Sequence, residues 1–212
     1  MAVRNNKIVI VGCGPGGRDY LTGMALREIE AAEVLVGAPR LLEAFPGSRA
    51  KRVPVRADLD RALARIAACR HRRVVVLVTG DPGLCSFAQP VIRRYGRAAC
   101  RVIPGVSSVQ AAFAAIGEDW TDARMVAAHG RAPDPAALKA LAESGKIAVL
   151  VGHPAARPWL ERLAAQRGRR IYICQDLTLP EESVRRVSPR ELNKAGYSAR
   201  SVILFIRQEK KK

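Results

Sequence analysis

The first half of the chain sets short, unbroken apolar runs against glycine turns. Residues 7–11 read KIVIV and stop at Gly12. Residues 34–36 (VLV) stop at Gly37, residues 74–78 (VVVLV) at Thr79-Gly80, and residues 101–103 at Pro104-Gly105. Runs apolar at nearly every position predict strands buried on both faces, as in a parallel sheet covered by helices. Residues 53–55 form a shorter candidate, and Pro54 restricts it to a sheet edge. Amphipathic stretches lie between the runs. Thr22 is placed to cap a helix reaching about residue 32, with Met24, Ala25, Leu26 and Ile29 apolar. Leu59, Leu63, Ile66 and Ala67 recur at helical spacing. A turn at 79–83 leads into a helix through Ile92, and Val109, Ala112, Phe113 and Ile116 mark another. Strand, glycine turn and helix, repeated, predict a parallel α/β sheet with ligand loops at the carboxyl ends of its strands.

The polar stretch GEDWTD at 117–122 interrupts this rhythm and suggests two α/β domains, 1–119 and 120–212. In the second, residues 124–128, 147–151, 171–174 and 202–206 read as strands. Asp134-Pro135 is a helix start, a capping Asp with Pro at the first helical position. Ala137, Leu138 and Leu141 continue that helix, and residues 158–166 form another.

Composition adds little to the fold. Hydrophobic residues are 49% and aromatics 5%, so the core is built from Ala, Val, Leu and Ile. Charge matters more: 36 Lys and Arg against 19 Asp and Glu give +17. Such a field draws anions, whether nucleic acid or a small polycarboxylate, and equally serves solubility. The five cysteines include no C-x-x-C pair and the three histidines are scattered, so no metal site is expected. The odd cysteine count and the absence of a leader segment imply reduced thiols in the cytoplasm. No apolar run reaches the ~18 residues of a membrane span.

The candidate chemistry lies in the loops. Gly12-Cys13-Gly14-Pro15-Gly16-Gly17 satisfies G-x-G-x-x-G after a strand, a dinucleotide signature. Two features oppose that reading. The second strand ends in Gly37-Ala38-Pro39-Arg40 without an acid for the ribose, and Pro15 removes a backbone donor. Arg40 keeps an NADP-binding oxidoreductase open as an alternative.

Thr79-Gly80-Asp81-Pro82-Gly83 and Pro104-Gly105-Val106-Ser107-Ser108 follow the next buried strands. The three loops in this order resemble the tetrapyrrole methylases, whose pattern is G-x-G-P-G, then G-D-P, then P-G-(I/V)-(S/T)-(S/A). The stretches VGAPRLLE at 36–43, PGVSSVQAAFAAIGEDWTDARMVAAHGR at 104–131 and DLTLPEE at 176–182 resemble the branch that methylates C5 of cobalt-precorrin-7 in cobalamin synthesis. The resemblance covers about residues 7–206. It implies two α/β domains with S-adenosylmethionine held in a cleft between them. It places Pro15, Thr79, Gly80, Asp81, Leu84, Ser107, Ser108, Val151 and Leu177 at the cofactor. Asp81 is a candidate for a ribose or ammonium contact or for a helix cap, and the two serines for helix caps as well. Val151 and Leu177 suit an apolar core equally. For a tetrapyrrole ringed with acetate and propionate groups, Gly14, Arg18, Arg40, His129 and Arg131 are the candidates, by Arg–carboxylate pairing where the residue is arginine. No catalytic acid or base stands out. The resemblance also implies a homodimer, no nucleic-acid partner, and a separate C15-methylating, decarboxylating partner, since no such domain is present. A branch that methylates ribosomal RNA ribose is the alternative within the family.

Overall fold

The computed structural model describes residues 7–128, 141, 143–152, 156–166, 168–196, 198 and 200–208. The chain divides into two compact units, Met1–Ser107 and Ser108–Lys212. The first holds β1 (Ile8–Gly12), α1 (Gly23–Glu30), β2 (Val34–Gly37), α2 (Pro39–Glu43), β3 (Lys51–Pro54), α3 (Leu59–Ala68), β4 (Val74–Val78), α4 (Ala88–Tyr95) and β5 (Cys100–Ile103). Its sheet runs β3-β2-β4-β1-β5, with every pair parallel. Side chains alternate between two cores, which is why the strands are apolar throughout. Ile8, Ile10, Val34, Val36, Val74 and Val76 meet Leu63 and Ile66 of α3 and Val91 of α4. Val9, Val11, Leu35, Val75 and Leu77 meet Ala25 and Ile29 of α1 and Leu41 and Leu42 of α2.

Local signals act as expected at most boundaries. Thr22 Oγ1 accepts from the Ala25 N–H at 3.1 Å, and β3 lies at the sheet edge. Three details differ. Met24 and Leu59 are 47% and 42% exposed, because α1 buries residues 25, 28 and 29 and α3 buries 62, 63 and 66. Ala67 likewise faces solvent. Pro39 opens a short helix, α2, that the apolar pattern did not mark, since proline fits the first helical turn. Finally α4 starts at Ala88, after an extended turn in which Cys85 takes the left-handed conformation (φ 49°).

The second unit holds α5 (Ser108–Ala115), β6 (Ala123–Ala128), β7 (Lys146–Val151), α6 (Arg157–Ala164), β8 (Arg169–Gln175), β9 (Ser183–Val187), α7 (Pro189–Lys194) and β10 (Ser201–Arg207). Its sheet order is β6-β7-β10-β8-β9; β6 and β7 are parallel and the rest antiparallel. One face packs Ile147, Val149, Ile171, Ile203 and Phe205 under Trp159, Leu160 and Leu163 of α6 and Leu192 of α7. The division between units precedes α5 rather than following it at 119/120, because α5 packs on β10 of this sheet. The start at Asp134-Pro135 lies outside the described residues. Strand β9 and helix α7 were not anticipated. Yet Ser188-Pro189-Arg190-Glu191 carries a capping box: Ser188 Oγ accepts from the Glu191 N–H at 3.3 Å, and Glu191 Oε2 accepts from the Ser188 N–H at 2.7 Å.

One buried acid ties the first unit together. Glu28 on α1 accepts from Arg73, just before β4, at 2.7 Å, and from Arg101 on β5. Burial alone would raise the Glu28 pKa, but the two guanidiniums outweigh it and hold the carboxyl below its ordinary 4.5. A depressed carboxyl pKa adds stability above the unfolded-state value, and that gain is lost as pH falls through the folded-state value. Glu28→Gln should therefore lower unfolding free energy by about 1–3 kcal/mol at pH 7. The gap to wild type should narrow as urea titrations are moved below pH 4.5. A gap that stayed constant with pH would contradict the assignment.

Candidate active site

The strand order places one crossing point in the first sheet. The chain leaving β1 passes over β4 to reach β2, whereas the chain leaving β4 passes over β1 to reach β5. Loops diverging from adjacent strands in opposite directions mark the ligand crevice of open α/β sheets. Here the loops are joined at their base. Gly80 N–H donates to Gly14 O at 2.8 Å, Gly14 N–H to Gly80 O at 3.3 Å, and Cys13 N–H to Val78 O at 2.8 Å. Both glycines sit in the left-handed region, at φ 71° and 66°.

The loop after β5 closes on the same point. A Cβ on Gly12 would lie 2.7 Å from both Gly105 N and Gly80 O, and one on Gly105 would lie 2.6 Å from Gly80 O. Three main chains thus meet with no room for a methyl group. Asp81 fastens the contact: its Oδ1 accepts from Gly83 N–H at 2.7 Å and its Oδ2 from Gly105 N–H at 3.1 Å. A carboxylate offers about four acceptor directions. These bonds occupy two, so Asp81 retains capacity for a hydroxyl or ammonium while acting as a structural tie.

This geometry removes the physical basis for a dinucleotide site. The donors of Cys13 and Gly14 are used within the sheet, and Pro15 has none. A three-residue 3-10 turn, Arg18–Tyr20, follows the loop, and α1 begins only at Gly23. The helix that follows the motif therefore does not start within it, where a pyrophosphate would be received.

Of the residues singled out from sequence, Gly14, Pro15, Thr79, Gly80 and Asp81 come together at this crossing, all buried or half-buried. Leu84 is half-buried in the following turn, its N–H donating to Asp81 O at 3.1 Å. Arg40, in the first turn of α2, reaches the same loop: its Nη2 donates to Thr79 Oγ1 at 2.5 Å. Arg18 instead lines a cavity of about 470 Å³ with Leu26, Ile29, Phe45 and Arg49. Ser107, buried, and Ser108, half-buried, stand at the start of α5. His129 and Arg131 lie outside the described residues. Cys13 is held protonated: burial pushes its thiol up to about 12, against smaller opposing effects of a hydrogen bond at Val78 and the charge of Arg40. It is no thiolate nucleophile.

In the second unit, Ser201 pairs with Val151 on one side and Gln175 on the other. The end of β7 and the turn after β8 therefore lie at the same end of the sheet. The Val151 side chain belongs to the apolar core, so only its main chain can face a ligand. Leu177 is buried within a turn whose neighbours Asp176 and Thr178 take φ 49° and 69°. For a β-branched residue that is a strained conformation, of the kind found at ligand sites. Arg200 Nε meets Asp176 Oδ1 at 2.6 Å, and Thr178 N–H donates to Glu182 Oε2 at 2.6 Å. Sequence reasoning did not find Arg200; no local motif marks it. Among the described residues there is no group of three potential metal ligands, and no helix is long and apolar enough to cross a membrane.

Residues 7–193 match the family of Tetrapyrrole (Corrin/Porphyrin) Methylases. The chain belongs to this family. The cobalt-precorrin-7 C(5)-methyltransferase of Salmonella typhimurium is 30% identical over 201 residues, covering 93% of this chain and 98% of that protein. The precorrin-6Y methylase of Archaeoglobus fulgidus superposes with a TM-score of 0.75 at 25% identity, over 97% of this chain and all of that one. Uroporphyrin-III C-methyl transferase from Thermus thermophilus, crystallised with S-adenosylhomocysteine, shares the fold at a TM-score of 0.76 and 22% identity, over 94% and 92% of the two chains. The glycine contacts above are thus a physical account of this tetrapyrrole methylase's loops.

Two outcomes follow from that account. Gly105→Ala forces a methyl against Gly80 O and should cost about 1–3 kcal/mol in thermal or urea unfolding. Asp81→Ala, which breaks both ties, should cost a similar amount. Unchanged stability of Asp81→Ala would leave the carboxylate with a ligand role alone. In the folded chain Cys13 should resist iodoacetamide at pH 8, read by peptide mass mapping, while exposed Cys85 is labelled first.

Proposed function

We propose that this tetrapyrrole methylase transfers one methyl group from S-adenosylmethionine to C5 of cobalt-precorrin-7, or of the corresponding metal-free ring, in cobalamin synthesis. The observation that carries the reading is the end-to-end correspondence with the Salmonella enzyme. Supporting it are a family whose fold carries S-adenosylhomocysteine in a Thermus relative and a net charge of +17, suited to a polycarboxylate substrate.

The cofactor supplies a methyl group already activated on a sulfonium. The chain's own part is alignment and exclusion of water. Asp81, with acceptor capacity to spare, takes a hydrogen bond from a ribose hydroxyl or from the ammonium group. The joined loops at Gly14, Gly80 and Gly105 hold that carboxylate and Thr79 in place. Pro15 and Leu84 present apolar surface beside them, and Ser107 and Ser108 offer hydroxyls. Positioning of this kind lowers a barrier by roughly 7–11 kcal/mol, which a site poor in acid–base side chains requires. Arg40 and Arg18 receive substrate carboxylates, with His129 and Arg131 as further candidates. Val151 main chain and Leu177 complete the cofactor's surroundings. A homodimer, and a separate partner for C15 methylation and decarboxylation, belong to the same reading.

The test is incubation of the purified protein with S-adenosylmethionine and precorrin-7, with and without cobalt, beside a ribosomal RNA control. A gain of one methyl mass on the ring, mapped to C5 by NMR, is the expected result. Methylated RNA with an unchanged ring would overturn it.

A further inference from the structure

We infer that Arg200 is a positioning residue: its ion pair with Asp176 holds the loop after β8 in a backbone conformation that most side chains disfavour, and so presets the turn around Leu177 for the cofactor. The inference rests on the methylase reading above, in which Leu177 borders the cofactor, and it adds a residue that touches neither cofactor nor ring.

The pairing register brings the two residues together. Gln175 closes β8 and lies opposite Ser201 at the start of β10. One step beyond this last pair of the antiparallel ladder, the facing residues are Asp176 and Arg200. Arg200 Nε meets Asp176 Oδ1 there at 2.6 Å. The contact therefore depends on the sheet register and not on the loop itself. On its other side Ser201 pairs with Val151, at the end of β7. Arg200 thus enters the sheet between the two segments of this unit that the cofactor reading calls on.

The loop needs such a fastening. It covers residues 176–182, between Gln175 of β8 and Ser183 of β9. Asp176 and Thr178 sit in the left-handed region, at φ 49° and 69°, on either side of buried Leu177. Aspartate accepts that region at modest cost, but β-branched threonine does not. Bonds inside the loop shape it. Leu179 N–H donates to Asp176 O at 3.0 Å, Glu182 N–H to Leu179 O at 3.0 Å, and Thr178 N–H to Glu182 Oε2 at 2.6 Å. Bonds of this kind travel with the loop when it swings. The Arg200 contact differs, because it fastens the first left-handed residue to a neighbouring strand.

The strength of the pair separates positioning from scaffolding. The Arg200 side chain is 51% exposed and that of Asp176 19%. A pair this open to water adds little to global stability. It governs a local equilibrium instead, because loops open at far lower cost than the whole chain unfolds. A ligand that fits only the set conformation loses apparent affinity in proportion to the fraction of chains that hold it. By this route a weak ion pair alters binding without touching the ligand.

The experiment measures binding, stability and turnover. S-adenosylhomocysteine serves as cofactor probe by calorimetry, and uroporphyrin III, a stable octacarboxylate, as ring probe by fluorescence quenching. Arg200→Gln should weaken S-adenosylhomocysteine about 3- to 10-fold, the loss expected when roughly a third to a tenth of the chains hold the set loop. Arg200→Lys, which keeps the charge, should recover most of it. Asp176→Asn should weaken binding similarly and add nothing to Arg200→Gln, because the two act as a unit. Thr178→Gly removes the conformational penalty, so in that background Arg200→Gln should change affinity by less than about 2-fold. Uroporphyrin affinity should stay unchanged in all of these. Arg162→Gln, removing an exposed charge on α6, should alter neither affinity. The midpoint of thermal unfolding should fall by no more than about 4 °C in Arg200→Gln. In turnover, KM for S-adenosylmethionine should rise with kcat preserved. An undiminished loss in the Thr178→Gly background, as a direct contact would give, would overturn the inference. So would a loss of uroporphyrin affinity, which would make Arg200 a ring-binding residue, or a lowered midpoint with unchanged S-adenosylhomocysteine affinity, which would make it structural alone. A wild-type protein that binds S-adenosylhomocysteine yet fails to methylate precorrin-7 would count against the proposed substrate, and the affinity comparison would still decide the role of Arg200. No binding of S-adenosylhomocysteine by the wild type would overturn both.

Discussion

The contact of Gly12, Gly80 and Gly105 is the constraint on which the first unit's chemistry depends. Three strands, β4, β1 and β5, lie side by side, and the loops leaving them meet with main-chain atoms where a methyl group would clash. Close approach lets Gly14 and Gly80 share two hydrogen bonds, and it lets one carboxylate, Asp81, reach the backbone of the third loop. Loops bound in this way do not depend on ligand contacts for their order. A site that works by alignment needs such order before the ligand arrives, because any freedom left in the loops adds to the cost of binding.

Charge is divided between framework and surface. Glu28, Glu118, Asp119, Asp122 and Asp176 each hold a lysine or arginine, and these pairs join distant segments: α1 to β4 and β5, the stretch after α5 to β7 and β8, and the turn after β8 to the start of β10. The two Glu28 bonds are partly shielded from solvent and carry more weight than the exposed contacts of Asp119 and Asp122 with Lys146. Acids are few in this chain, 19 against 36 basic residues. With several acids spent on fixing elements, the net charge of +17 still sets a field that draws anions. A high net charge and a stable fold are compatible here because the acids sit where they span elements.

The first sheet was legible because burial on both faces writes itself as continuous apolar runs: residues 74–78 could hardly be anything else. The helix start at Thr22 followed from capping chemistry. What escaped had weaker or ambiguous signals. Pro39 reads equally as the end of a strand and the first turn of a helix. Strand β9, SVRRV, has only two apolar residues and sits at an exposed edge, so no periodicity marks it. Helix α7 did carry a capping box, in Ser188 and Glu191, which went unread because the apolar content of residues 189–194 is a single leucine. The compact units divide one helix earlier than 119/120, since α5 is joined to β5 by four residues but packs on β10. At the site, the loops and Asp81 were visible as motifs. The bond from Arg40 to Thr79 was not, because it spans 39 residues and arises from the pairing of β2 with β4.

The glycine motif shows why a pattern of residue types does not by itself specify a ligand. G-x-G-x-x-G encodes permission for close main-chain approach, and two different neighbours can use that permission. In a dinucleotide fold the neighbour is a pyrophosphate at the N-terminus of a helix that starts within the motif. Here it is the main chain of two further loops, and the helix starts six residues after the motif's last glycine, at Gly23. The deciding features are therefore outside the motif: a proline where a donor is needed, no acid at the end of β2, and glycines at the ends of β4 and β5 that fill the space a phosphate would take. Those partner glycines are themselves in the sequence, at positions 80 and 105. A reading that weighs the three loops as one unit, joined across the sheet by strand order, recovers the difference that the first loop alone conceals.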